Sequence, residues 1–356
     1  MKKWKALSPQ TRSDFITYGI VIAAFIVLRL LSAFGMLSNS LTGLLVPLCA
    51  YIIMAVSLNL TVGVLGELSL GHAGFMSVGA FSGVIACAGM ESFIPNPIIR
   101  LLIAVVIGGV LAGITGFLIG IPVLRLRGDY LAIVTLAFGE IIKNIINCLY
   151  IGIDGAGLHI SLVSSAELGL NSGRVVINGP VGAVGVQKIS TFTFSFVLVM
   201  ITLIVVLNIM RSRTGRAIMA VRDNRIAAES VGISITKYKM IAFITSAVLA
   251  GAAGVLFAMN YTSLSSSKFD FNQSILILVF VVLGGLGNIR GSIIATVILY
   301  LLPEILRPIQ DYRMLIYSIV LIIVMLTTNS EKAKLYIGKI KARLTKKNAK
   351  GGEQGE

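Results

Sequence analysis

Residues able to do acid–base, nucleophilic or metal chemistry are few in this chain, and their spacing excludes most of that chemistry. The only histidines are His72 and His159, and the only cysteines are Cys49, Cys87 and Cys148. No two of these have the spacing of a zinc site, and three scattered cysteines do not make a disulfide framework. The cysteines lie in apolar stretches and read as small buried hydrophobes. No GxSxG turn presents a nucleophile, no pair of carboxylates is placed for proton transfer, and no GxxxxGK[ST] loop could cradle ATP phosphates. Neither a catalytic residue nor a bound metal or cofactor is expected in this chain.

The densest chemistry is electrostatic. Residues 211–239 hold seven basic and two acidic side chains between two hydrophobic stretches. Within them Ala217, Ala220, Val221, Asn224, Ala227, Ala228 and Val231 recur at i, i+3, i+4, i+7, which predicts one or two short helices with a face of small residues. Arg222, Arg225 and Glu229 occupy the other side, with Arg225 and Glu229 spaced for an i, i+4 pair. Gly232 is placed to stop the helix. The small face fits close approach to another protein, and the charges beside it, Asp223 included, would orient the contact. The alternative is a helix lying among lipid headgroups.

The elements that position this segment are apolar. The chain is 56% hydrophobic and 13% charged, against roughly 25% charged residues in soluble domains. Ten candidate spans of a membrane follow: 15–35, 41–62, 73–90, 98–122, 130–151, 191–210, 240–260, 273–288, 291–306 and 314–329. The expected fold is therefore an all-α, multi-pass membrane protein of about ten helices. Most of the 30 Lys and Arg fall on one side when the N-terminus is placed in the cytoplasm, so both termini are expected inside. That distribution also accounts for the net charge of +15 without nucleic acid, leaving membrane lipid as the partner of the basic edges.

The expected parts are a cytoplasmic segment 1–14, a membrane domain 15–330 and a basic cytoplasmic tail 331–356. The membrane domain includes an external loop 152–190 and the cytoplasmic loop 211–239. The external loop carries turn signals at Asp154-Gly155 and Asn178-Gly179-Pro180, which predict a small cap.

Two stretches, 63–83 and 283–292, are too rich in glycine for ordinary spans, and they fall in opposite halves of the chain. Such pairs mark broken helices at a transport path, or close packing of helices through small residues. The first offers Glu67, His72 and Gly74, with Asn59 just before it. The second offers Gly284, Gly285, Gly287 and Asn288. Glu67 and His72 read as gate or interface residues, or as wetted loop residues. Glu140 and Lys143, three residues apart within a span, should either pair or touch a substrate, because unpaired charge there is costly.

The sequence 223–232, DNRIAAESVG, resembles the "EAA" loop of permease subunits of ATP-binding-cassette importers. It departs from the pattern usual in its subfamily in reading Ala-Ala-Glu rather than Glu-Ala-Ala. Residues 57–60 (SLNL), 66–75 (GELSLGHAGF), 125–136 (RLRGDYLAIVTL) and 284–288 (GGLGN) are similar to the M-type permease of the high-affinity branched-chain amino-acid (Liv) importers, and the likeness covers roughly residues 40–330. The resemblance implies a permease in a bacterial cytoplasmic membrane that moves leucine, isoleucine and valine by alternating access. It also implies a sister permease of the H type, two ATPase subunits that bind ATP and magnesium, and an external substrate-binding protein. Segment 216–232 would then dock on an ATPase. A permease for urea, an amide or another amino acid, and an ion-coupled carrier, are the alternatives.

Overall fold

The computed structural model describes residues 9–35, 38–126, 128–155, 157–170 and 173–307, with isolated positions between 312 and 322. Residues 1–8, the tail 331–356, Arg127 and most of the candidate span 314–329 lie outside the described residues.

The chain is mostly helical. In order it forms α1 (Pro9–Ala33), α2 (Asn39–Asn59), α3 (His72–Gly89), α4 (Pro97–Val123) and α5 (Asp129–Asn147). Then follow α6 (Phe192–Arg211), two short helices α7 (Arg213–Asp223) and α8 (Arg225–Ser230), and α9 (Ile235–Ala258), α10 (Phe271–Gly284) and α11 (Ile289–Ile305). Among the described residues six helices are long and apolar enough to cross a membrane: α1, α2 with its continuation to Leu65, α3, α4, α6 and α9. The other five are α5, which carries three charges, the short α7 and α8, and α10 and α11, which are 14 and 17 residues long.

Starts are fixed by side-chain caps. The Ser38, Asn96, Thr191 and Asp270 side chains each accept a hydrogen bond from a backbone N–H of the first turn. At α5 the cap is Gly128, and Asp129 is the first helical residue, where its charge suits the helix N-terminus.

The chain falls into two units, one ending at Val297 and one beginning at Ile298; α11 starts in the first. In the second, Arg307 donates to Glu304 at 3.0 Å. In the first, α9 packs on α4, α3 and α2. Glycine permits that approach: a Cβ on Gly79 would lie 2.1 Å from the Gly251 carbonyl oxygen, and one on Gly254 2.0 Å from that of Met76. Small residues are the means by which helices approach closely where lipid removes the hydrophobic drive between them. On α1 the Phe25 ring stacks 3.9 Å from that of Phe196 on α6.

The expectation of an all-α protein needs correction. A five-stranded antiparallel sheet is present: β1 (Tyr150–Asp154), β2 (Gly157–Ser161), β3 (Arg174–Asn178), β4 (Ala183–Val184) and β5 (Ser263–Leu264), in the order β2-β1-β3-β4-β5. The turn signals stand where expected. Asp154 Oδ1 accepts from the Gly157 N–H at 3.1 Å and closes the first hairpin. The β-branched residues between the turns favour strands, and β5 joins them from the distant connection between α9 and α10. Cys49 and Cys87 are buried, but Cys148 is exposed, because α5 ends at Asn147 and leaves it in the turn before β1.

Candidate functional site

The charged segment folds as two helices with a sharp corner at Asn224. Ser212 caps α7 by accepting from the Gly215 N–H. Asn224 leaves helical geometry (φ −153°, ψ 105°), and its side-chain oxygen accepts from the Ala227 N–H at 3.0 Å, starting α8. Gly232 follows with φ 83° and ends the segment.

The small-residue face is divided: Val221 and Ala228 turn inward, while Asn224, Ala227 and Val231 are exposed. Val221 and Ala228 pack with Ile235, Ala220 and Ile233 inside the chain, and Ala228 is only 3% exposed. Ala, unlike a bulkier residue, lets α8 sit tightly against the start of α9. The outward side instead presents Ile226 and Val231, 81% and 75% exposed, beside the exposed Glu229 and Ala227. Two bare aliphatic side chains thus stand among charges, Val231 on the face that helical periodicity marked and Ile226 off it.

Three contacts tie this segment and the head of α9 to the end of α2. After Asn59 the helix continues as a π-helical turn, Leu60–Leu65, which closes at Gly66 with φ 80°. The Gly66 N–H and the Glu67 N–H both donate to Thr61 O. A Cβ on Gly66 would lie 2.6 Å from Arg222 Cγ, so the arginine stem lies directly over it. The guanidinium of Arg222 donates to Gly63 O at 3.0 Å and to Asp223 Oδ1 at 2.9 and 3.0 Å. Lys239, in the first turns of α9, forms an ion pair with Glu67, and both side chains are more than four-fifths buried. Buried pairs of this kind hold position strongly, since losing one partner strands the other.

The two glycine-rich breaks meet inside the protein. The buried Asn59 side chain accepts from the Gly287 N–H at 2.8 Å and donates to Ser292 Oγ at 2.7 Å. A Cβ on Gly63 would sit 1.9 Å from Asn59 Oδ1 and 2.2 Å from the Gly287 nitrogen. The α10–α11 corner, with Gly285 and Gly287 at positive φ, is itself closed by glycine contact, since a Cβ on Gly284 would lie 2.3 Å from the Ser292 nitrogen. Asn288 Oδ1 accepts from the Gly291 N–H. The elements therefore form a continuous chain of contact: α7 and the start of α9, the π-helical end of α2, then the α10–α11 corner.

The loop leading from Gly66 to α3 is held just as closely. The Leu70 N–H donates to Thr135 Oγ1 at 3.1 Å, and the Ala73 N–H to Ser274 Oγ at 3.2 Å. Gly74 meets Gly139 of α5 at 3.0 Å from its hypothetical Cβ. His72 is buried, with Nε2 2.8 Å from Ser57 Oγ. It is a core residue and not a wetted loop residue. On α5, Glu140 and Lys143 pair with each other.

Lys239, Ser292, Thr135 and Ile226 were not singled out from sequence. Lys239 looks like an ordinary edge charge before an apolar run, and its partner lies 172 positions away.

Comparison with known proteins bears on what this arrangement serves. The family model described as "Branched-chain amino acid transport system / permease component" matches residues 40–325. The high-affinity branched-chain amino acid transport system permease protein LivM of Escherichia coli is 32% identical, over 90% of this chain and 76% of that protein. Its namesake in Salmonella typhimurium is 33% identical over the same shares. The probable branched-chain amino acid transport permease protein LivM of Methanocaldococcus jannaschii is 23% identical over 74% of this chain and 80% of its own. No solved structure matches significantly.

Proposed function

Because the chain belongs to the family of branched-chain amino acid transport permeases, membrane subunits that carry solute without being enzymes, we propose that it is the M-type subunit of an ATP-driven importer of leucine, isoleucine and valine in a bacterial cytoplasmic membrane. In this reading a sister permease completes the path. Two ATPase subunits bind ATP and magnesium, and an external binding protein delivers the amino acid. Both termini and the α7–α8 segment face the cytoplasm, as the distribution of Lys and Arg supports.

The observation that carries the mechanism is the contact chain from α7 to the two glycine-rich breaks. An ATPase gripping Ile226 and Val231 would move α7–α8 as a body, since Val221 and Ala228 pack it to the chain's own core. Arg222 and Lys239 would pass the displacement to Gly63 and Glu67, and Asn59 would pass it to Gly287 and Ser292. A coupled shift of the two breaks would open one side of the membrane and close the other. Glu140 and Lys143 serve as a paired intramembrane charge in this scheme, not as a substrate contact.

The substrate is tested by uptake of radiolabelled leucine, isoleucine and urea into vesicles bearing the complete complex with its binding protein. Uptake of leucine and isoleucine is expected. Uptake of urea alone would overturn the assignment.

A further inference from the structure

Arg100 stands apart from the contact chain and from every role above. It lies in the first turn of α4, is 6% exposed, and has no carboxylate partner among the described residues. One guanidinium nitrogen, Nη2, donates to Gln187 Oε1 at 3.0 Å, while Nε is buried with no hydrogen-bond partner. The nearby carboxylate, Glu91, is fully engaged: one oxygen accepts from Arg174 and the other from Gln187 Nε2. Gln187 thus stands between Glu91 and Arg100 and keeps them apart.

These groups border a cavity of about 20 Å³ whose other walls are mostly apolar, among them Val84, Val176, Val186 and Met259. Two guanidiniums against one carboxylate leave the site with one excess positive charge. The N-terminus of α4 adds partial positive charge of the same sign. A cation here opposes the helix dipole and has an unused N–H donor, and burial makes both costly. An anion relieves both at once. The volume admits one group of about the size of a water molecule. The same Ala88, Glu91 and Arg174 also line a broad open cleft beside the sheet, so only these side chains separate the cavity from open space.

We propose that Arg100 and its cavity form a binding site for a small monovalent anion at the outer face, filled by a halide or by a carboxylate oxygen of an incoming amino acid. The excess charge selects a monoanion over a dianion, and the apolar walls exclude a hydrated cation.

The test is the melting temperature of the purified protein in nanodiscs at fixed ionic strength. Sodium chloride and sodium acetate are titrated separately into a sodium isethionate background, whose anion carries no carboxylate, because a ligand that binds only the folded state raises the Tm in a saturable way. A saturable rise with chloride alone identifies an inorganic ion, and a rise with acetate as well identifies carboxylate recognition. The rise is expected to vanish in R100Q and in R100K, which keeps the charge but loses the Nε–H. Because R100Q could fold poorly, bromide anomalous density beside Arg100 in the wild type serves as an independent readout. No rise beyond isethionate with no bromide at Arg100, or equal rises in both variants, would overturn the proposal.

Discussion

Lys239→Met should break the contact between α9 and the loop that follows the π-helical turn. Lys239 is 5% exposed and the Glu67 side chain 14%. Removing one partner of a buried ion pair costs roughly 3–5 kcal/mol, because the remaining charge is stranded. Some solvent still reaches Glu67, which places the expected loss near the lower end, about 3 kcal/mol. Replacing both partners with apolar residues, Lys239→Met with Glu67→Leu, should recover most of that loss, since no charge is then left buried alone. The assay is a double-mutant cycle on denaturant unfolding in bilayer mimetics, run beside leucine uptake in vesicles. The expected pattern is a destabilised single variant, a near-normal double variant and a coupling energy of about 2 kcal/mol or more. Uptake should stay low in both, because the mechanical link is gone even where the fold is restored. A cost for Lys239→Met below about 0.5 kcal/mol, or costs that add within that margin, would refute the reasoning.

Further outcomes follow from the same contacts. Gly63→Ala should abolish uptake, since its Cβ would fall 1.9 Å from Asn59 Oδ1. Gly43→Ala, whose Cβ meets nothing within 4 Å, should transport normally. Asn59→Leu strands the Gly287 N–H, while the Ser292 hydroxyl keeps its bond to Asn288 O, and thermal unfolding should report a loss of about 1–3 kcal/mol. Glu140→Gln strands Lys143 within α5 and should lower the amount of protein inserted in membranes, whereas replacing both residues with Gln should restore it.

Much of the fold is legible in the sequence, because lipid imposes a simple rule on helix length and polarity. The apolar runs at 41–62, 98–122, 191–210 and 240–260 each contain their helix to within a few residues. The sheet was missed for the opposite reason. Its strands are two to five residues long, and β5 comes from a different connection, so no local period announces them. Segment 211–239 shows how periodicity can locate a face without saying which way it turns. Ala228 and Val221 turn inward, but Ala227 and Val231 from the same periodic set are exposed, as is Ile226 beside them. The joining of Asn59 to Gly287 spans 228 positions and needs the fold itself. The glycines on both sides of it were visible: nothing larger than hydrogen fits at Gly63, and Gly287 has a φ of 79° that disfavours other residues.

The central claim is that Ile226 and Val231 pass ATPase motion to the breaks through α7 and α9. It is tested most directly by the number of ATP molecules hydrolysed per leucine imported by the reconstituted complex carrying Ile226→Asp and Val231→Asp. Both side chains are exposed, so stability should change by no more than about 0.5 kcal/mol for each. The account predicts that hydrolysis continues while leucine import collapses, raising the ratio at least tenfold. Import at the wild-type ratio, in protein folded and assembled normally, would contradict it.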